Sequence, residues 1–359
     1  MAKDFLLYFH IPFCESKCGY CAFNSSASHN QYKEAYAQRL LVHLEQKLQE
    51  NPEARFSSLY IGGGTPNVLN ESLYTPIFKR LEGLLKSDCE INIEANPNTL
   101  NFAWLKELKN LGVNRLSLGI QSFLDCKLEF LERNHKPKNI FKSFEIIDKV
   151  GISNVSVDLI YGTPFCTKKH LEYEIKEASK LPINHLSAYG LSIDEGSAFA
   201  KNPQKQSQIY HQGDFEGFLS LGHFIKALLE AEGFYQYEVS NYSKGYKSRH
   251  NLGYWEGKDY LGIGAGAVGC IENIRTYPSK DIVRYLEDLS EEQEILTPKD
   301  KALERLFLGM RCEVGVEESQ IPQKEHLEIL KQENKVWQRA ERIYNRDYFL
   351  GDEIALFLS

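Results

Sequence analysis

The chain has 359 residues, 42% hydrophobic and 25% charged, a globular balance that argues against extended disorder. Lys and Arg total 42 against 49 Asp and Glu, a formal net charge of −7; with no basic stripe in view, nucleic acid is not an expected partner. No apolar run approaches the ~20 residues of a membrane span. The opening Met-Ala-Lys-Asp has no signal-peptide pattern, so the chain reads as cytoplasmic, with peripheral membrane contact left open.

One unit repeats from the N-terminus: a short apolar run, a turn, then an amphipathic stretch. The apolar runs predict strands over 5–10, 58–62, 90–95, 115–119, 154–159 and 185–189. The stretches between and after them predict helices over 31–49, 72–85, 102–111, 139–150, 168–180 and 215–231. In the first helix Tyr36, Leu40, Leu41, Leu44 and Leu48 recur at helical spacing and form one stripe. Gly112 and Gly151 each follow a helix and precede a strand, as helix-ending glycines do. Strands alternating with helices make an α/β fold with a parallel sheet, whose chemistry sits at the carboxyl ends of the strands. Polar or glycine-rich turns stand at those ends: a cysteine cluster, then Gly62-Gly-Gly-Thr-Pro66, Glu94-Ala-Asn-Pro97, Gly119-Ile-Gln-Ser122 and Tyr161-Gly-Thr-Pro164. The fifth strand carries Asp158.

Beyond residue 235 the rhythm changes. An aromatic-rich stretch, 237–260, runs into glycine-rich 262–269. Gly264-Ala-Gly266-Ala-Val-Gly269 satisfies the dinucleotide pattern but not in a first strand–turn–helix, so it reads as a close-packed turn. A new helix opens at Thr297, with Pro298 at its first position and Asp300 three after the cap. Strand-like pieces at 342–344, 348–350 and 354–358 close the tail. The expected organisation is a core domain over 1–235, a connecting region over 236–290 and a small helical or winged domain over 291–359.

Eight cysteines are present. Cys89, Cys126, Cys166, Cys270 and Cys312 are scattered and carry no readable role, whereas Cys14, Cys18 and Cys21 fall on one loop. A fully ligated iron–sulfur cubane needs four cysteines, so three leave one iron open for a substrate or cofactor. Zinc is the chemical competitor, with His10 or His29 as a fourth ligand, although no second Cys-x-x-Cys knuckle exists.

Tyr8-Phe-His10-Ile-Pro12-Phe13-Cys14-x3-Cys18-x-Tyr20-Cys21 resembles the signature of the radical S-adenosylmethionine (SAM) superfamily. Together with Gly62–Pro66, Glu94–Pro97, Arg115-Leu-Ser-Leu-Gly-Ile-Gln-Ser122 and Asp158-Leu-Ile-Tyr-Gly-Thr-Pro164, it is similar to the group containing oxygen-independent coproporphyrinogen III dehydrogenase and the heme chaperone HemW. The resemblance covers nearly the whole chain. It implies a partial (β/α)6 radical-SAM barrel with parallel strands and a small C-terminal domain. It further implies that Cys14, Cys18 and Cys21 hold a 4Fe–4S cluster whose open iron binds SAM. Tyr8, Gly63, Gly64, Thr65, Glu94, Gln121, Arg133 and Asp158 match positions around SAM, and Tyr20 would pack near the adenine. Val268 of the glycine-rich turn also falls near SAM by this resemblance.

Two departures separate the chain from the dehydrogenases. Those enzymes carry a fourth cysteine one residue after the triplet, where this chain has Phe23, and a longer N-terminal extension. In contrast, His250-Asn251-Leu-Gly-Tyr254-Trp255 matches the His-Asn-x-x-Tyr-Trp motif of HemW, which binds heme. A neutral imidazole is a standard axial ligand of heme iron, Tyr254 and Trp255 offer flat apolar surface, and Arg249 would answer a propionate. The resemblance therefore implies heme as ligand and a hemoprotein, such as a respiratory cytochrome, as acceptor. The alternatives are the dehydrogenase, a radical-SAM enzyme acting on tRNA, and a zinc-bound structural protein.

Overall fold

The computed structural model describes residues 3–209 and 215–359. Strands β1 (Lys3–Ile11), β2 (Ala54–Gly63), β3 (Leu85–Ala95), β4 (Arg115–Gln121), β5 (Asn154–Tyr161) and β6 (His185–Gly190) pair in sequence order, all parallel. The helices between them are α1 (Lys33–Glu50), α2 (Thr75–Leu81), α3 (Phe102–Asn110), α4 (Asp125–Phe130), α5 (Pro137–Val150) and α6 (Lys168–Ser179). This is the partial (β/α)6 barrel that the alternating pattern and the motifs anticipate.

Helices α7 (Pro203–Ile209) and α8 (Phe218–Ala231) follow, then β7 (Tyr235–Gln236), β8 (Asn241–Ser243) and α9 (Arg249–Trp255). Strand β9 (Tyr260–Ile263) pairs parallel to β1. From it an antiparallel flank runs through β10 (Gly269–Ile271), β11 (Ile274–Pro278), the helix α10 (Ile282–Glu287) and β12 (Glu291–Ile295). The whole is a 12-stranded sheet in the order β12-β11-β10-β9-β1-β2-β3-β4-β5-β6-β8-β7. A second core, including Leu306, Met310, Leu327, Ile343 and Leu358, is built from α11 (Pro298–Met310), β13 (Val316–Glu317), α12 (Lys324–Gln332), β14 (Val336–Arg339), β15 (Arg342–Asn345) and α13 (Gly351–Leu358). Three helices and a three-stranded sheet form this C-terminal unit.

Three local expectations need correction. The single helix over 72–85 is a short helical turn, Glu71–Leu73, followed by α2, because Pro76 restarts the helix and β3 already begins at Leu85. In the tail, 348–350 is a tight helical turn and 354–358 belongs to α13, not to strands. Ile354, Ala355 and Leu358 are spaced to bury one helical face on the second core, which short apolar runs alone do not reveal.

The two faces of the barrel strands differ in chemistry. Outward residues such as Leu7, Phe9, Leu59, Ile93 and Leu118 pack with Tyr36, Leu40 and Leu44 of α1 and its neighbours. On the inner face stand Tyr8, Tyr60, Glu94, Ser117, Asp158 and Ser187. Closed eight-stranded barrels fill this space with branched apolar side chains. Here polar inward positions leave a chamber of about 550 Å³ running the length of the strands.

Candidate functional site

The chamber's mouth lies at the carboxyl ends of the strands. After β1 the chain enters the cysteine loop, whose base is pinned where Cys14 N–H donates to Ser26 O (3.0 Å) and Ser26 N–H to Pro12 O (2.7 Å). Gly19, within the loop, receives the Phe199 ring so closely that a Cβ would stand 2.2 Å from it. Cys14, Cys18 and Cys21 all line the chamber, and burial pushes the Cys14 thiol up from its ordinary range. Among the described residues no three His, Cys, Asp or Glu side chains gather around one point as single-ion ligands do. In a cubane each cysteine binds a different iron, so three thiols spread over a mouth fit that donor set. The two histidines considered for zinc are engaged elsewhere. His10 Nε2 donates to Asn24 O (2.7 Å) while its Nδ1 accepts from the Tyr8 hydroxyl (2.8 Å), and His29 Nδ1 meets Ser26 Oγ at 2.6 Å.

Polar side chains link two of the thiols through the wall. Arg133 Nη1 stands 3.4 Å from Cys18 Sγ, and its Nη2 donates to Asn96 Oδ1 (2.7 Å) and Gly119 O (2.8 Å). Asn96 Nδ2 donates in turn to Thr65 Oγ1 (2.9 Å), whose hydroxyl faces Cys14 Sγ at 3.5 Å. Arg133 is thus part of the wall.

Of the ten positions that the resemblance associates with SAM, nine line this one chamber, Tyr8, Tyr20, Gly63, Gly64, Thr65, Glu94, Gln121, Arg133 and Asp158, and Val268 does not. Gly63 has φ +117°, and a Cβ there would stand 2.6 Å from the His10 ring, so the turn after β2 requires glycine. Glu94 accepts from the Tyr60 hydroxyl (2.6 Å) and from Gly63 N–H (3.1 Å), and burial raises its carboxyl to about 7. Burial also raises Asp158, which faces Ser117 Oγ at 3.5 Å. Gln121 adopts φ +60°, an uncommon conformation for a side-chain-bearing residue, at a register shift between β4 and β5. The following Ser122 is held by buried Glu174, itself paired with Lys127 at 2.6 Å. That anchor fixes the turn that presents Gln121.

Helix α9 closes the amino end of the barrel. Gly253 lies flat on Leu6 of β1, where a Cβ would come within 2.7 Å. The backbone N–H groups of Arg249 and His250 donate to the buried carboxylate of Glu90 at 3.0 and 2.9 Å. The His250 ring is sandwiched between polar partners, with Nδ1 at 2.6 Å from Ser58 Oγ and Nε2 at 3.0 Å from the Tyr254 hydroxyl. Burial, helped by Arg115, lowers its pKa to about 3, so the ring is neutral. His250, Asn251 and Tyr254 line the chamber at the end opposite the cysteine loop; Trp255 is outside its wall, with a buried Nε1 that has no partner among the described residues. The expectation for Arg249 is corrected: its guanidinium pairs with Asp88 on the outer surface (3.0 Å), drawn there by a nearby carboxylate. The glycine-rich turn 264–269 joins β9 to β10, and neither Val268 nor its glycines line the chamber.

Comparison with known proteins places this architecture. Residues 8–178 match the model of the radical SAM superfamily. The heme chaperone HemW of Bacillus subtilis (strain 168) is 35% identical over 327 residues, covering 88% of this chain and 86% of that protein. HemW of Escherichia coli (strain K12) is 35% identical over 284 residues, covering 77% and 72%. The chain belongs to the HemW family. Its fold is also that of coproporphyrinogen III oxidase (HemN) from Escherichia coli, with a TM-score of 0.80 at 21% identity over 99% of this chain and 90% of that one. In this HemW-family chain Phe23, two residues past the last clustered cysteine, is 68% exposed and stands at the chamber's mouth.

Sequence reasoning missed Asn96 as the link in the wall, and Tyr60, Arg115, His185 and Tyr189 as chamber residues. Arg115 and Asn96 lie inside the quoted motifs. A charge opening an apolar strand, as Arg115 opens β4, was the available signal.

Proposed function

We propose that this protein is a heme chaperone that binds heme and passes it to an acceptor hemoprotein, such as a respiratory cytochrome, in the cytoplasm. Its cofactors are a 4Fe–4S cluster on Cys14, Cys18 and Cys21 and a SAM molecule at the open iron. The observation that carries the reading is one chamber with the cysteine loop at its mouth and the His-Asn-x-x-Tyr-Trp helix at its foot, in a chain similar along most of its length to heme chaperones.

The chain's own groups suit these ligands. Backbone at Gly63–Thr65 comes close to the chamber without intervening side chains. Glu94 and Asp158 supply carboxylate oxygens for hydroxyl or ammonium donors, and Arg133 stabilises thiolate charge at Cys18 through its 3.4 Å contact. A cluster bound there supplies an open iron able to chelate the amino-acid end of SAM. His250 supplies a neutral imidazole, the form that binds heme iron. The chamber's lining comes from both the barrel, between Tyr8 and Asp194, and the later segment between Asn241 and Tyr254.

The test is heme delivery. Cluster-reconstituted protein loaded with heme is mixed anaerobically with a heme-free cytochrome, and the Soret bands of donor and acceptor are followed. Transfer that depends on the donor supports the reading. Conversion of coproporphyrinogen III to protoporphyrinogen in a parallel tube with SAM and reductant would overturn it in favour of the dehydrogenase.

A further inference from the structure

The chamber's foot holds a buried cation that makes no direct ion pair among the described residues. Arg115, the first residue of β4, is 2% exposed and lines the chamber. Elsewhere this protein pairs its buried cations: Lys127 meets Glu174 at 2.6 Å, and Lys47 meets Glu291. Arg115 instead makes one hydrogen bond, from Nη1 to Asn92 Oδ1 at 2.7 Å, and its Nε–H has no partner among the described residues. Glu94 and Asp158 feel its charge only through space, and they are held by Tyr60, Gly63 and Ser117. Burying an unpaired guanidinium is costly, and leaving its donors unsatisfied adds to that cost.

A second orphan stands on the same wall. Asn251 of α9 has an Nδ2 with no acceptor in hydrogen-bond geometry among the described residues, although its side chain acts on the neighbouring Tyr237 hydroxyl. Between this end and the mouth the wall carries the rings of Tyr8, Tyr60, Tyr189 and Tyr254. A ligand that satisfies both features has a flat apolar body and a carboxylate arm, since a carboxylate matches the guanidinium fork. We propose that Arg115, assisted by Asn251, forms a carboxylate subsite at the foot of the chamber that receives a propionate of the bound tetrapyrrole. This rests on the heme reading above.

The experiment compares wild type with Arg115→Gln and Arg115→Lys, the second keeping the charge but not the fork. Folding is checked by circular dichroism. Three probes are titrated: heme, heme dimethyl ester and SAM; in addition, the melting temperature is measured with and without sodium propionate at fixed ionic strength. Wild type should bind heme roughly tenfold or more tightly than the ester. Arg115→Gln should bind both at the ester's level, with SAM affinity unchanged and Arg115→Lys intermediate. A Gln variant that keeps the preference for heme overturns the proposal. So does one that loses SAM affinity instead, since the carboxylate would then belong to SAM. Wild type that binds neither porphyrin overturns the heme reading alone, and propionate then decides the subsite. Stabilisation of wild type but not Arg115→Gln upholds a carboxylate site, and no difference between them removes it.

Discussion

Arg133 and Asn96 meet at 2.7 Å, and the pair completes a chain of side chains from Cys18 through Arg133, Asn96 and Thr65 to Cys14. Two thiols four residues apart in sequence are therefore held from outside their loop as well as from within it. Asn96 serves both neighbours, accepting from one and donating to the other, so its loss removes one hydrogen bond from each and leaves Arg133 with Gly119 O and Thr65 with Cys14 Sγ. Asn96→Leu should lower stability by about 1–3 kcal/mol and shorten the half-life of the reconstituted cluster in air. Asn96→Asp, which keeps the acceptor for Arg133, should fall between them. Equal cluster lifetimes in all three proteins would show that the wall does not position the loop.

Replacing a thiol tests the ligand set more directly. Cys14→Ser should lose the visible sulfur-to-iron absorption, with acid-labile sulfide falling in step. Cys89→Ser should retain both, because Cys89 is buried in the outer core, away from the chamber. Unchanged iron and sulfide in Cys14→Ser would remove Cys14 from the set.

His250 gives the stability a pH dependence of defined sign. Its native pKa of about 3 lies below the ordinary 6.5 because of burial first and Arg115 second. In the unfolded chain the imidazole takes up a proton below pH 6.5, while the native one does not until about pH 3. Its contribution is whole above pH 6.5 and is lost as pH falls, at about 1.4 kcal/mol per unit. Glu94 and Glu238, both raised to about 7 by burial, act oppositely, weakening the native state as pH rises from their ordinary range. They are common to wild type and variant, so the difference isolates the imidazole. Denaturant unfolding at pH 6.5, 5.5 and 4.5 should show a flatter acid limb for His250→Asn; parallel limbs would refute the assignment.

Much of the barrel was legible because its sheet is parallel and covered by helices. Each of the six predicted strands overlaps an observed one, and Gly112 and Gly151 have the left-handed φ, +110° and +78°, expected of helix-ending glycines. The capping box at Thr297 and Asp300 is present, with the Asp300 N–H donating to Thr297 Oγ1 at 3.2 Å. The antiparallel flank was less legible, since β9 and β10 are short, glycine-rich and paired over a few residues. In the site, motif residues converged because they stand at strand ends that the fold brings together. The placement of His250 far from the cysteine loop was invisible, because it depends on Glu90 and Ser58 capturing α9 beneath the barrel. Arg249 shows the limit of proximity in sequence: it is next to His250 and faces the other way, to Asp88.

The hydrogen bond between His250 Nε2 and the Tyr254 hydroxyl sets a condition on heme binding, because the only other ring nitrogen already meets Ser58 Oγ at 2.6 Å. Iron ligation by His250 requires one of these contacts to break, and Tyr254 is the partner that faces the chamber. Tyr254→Phe removes the competing hydroxyl while keeping the ring. If His250 is the axial ligand, Tyr254→Phe should bind heme as tightly as wild type or up to about tenfold more tightly, the loss of one hydrogen bond of about 1 kcal/mol no longer opposing ligation. His250→Ala should weaken heme binding and shift the Soret maximum while its cluster absorption is unchanged. Ser58→Ala should leave heme affinity nearer to wild type, since Ser58 lies outside the chamber wall. Heme titrations of the three variants followed at the Soret maximum decide the matter. A His250→Ala protein with wild-type affinity and spectrum would place the axial ligand on another residue and leave His250 as part of the barrel's floor.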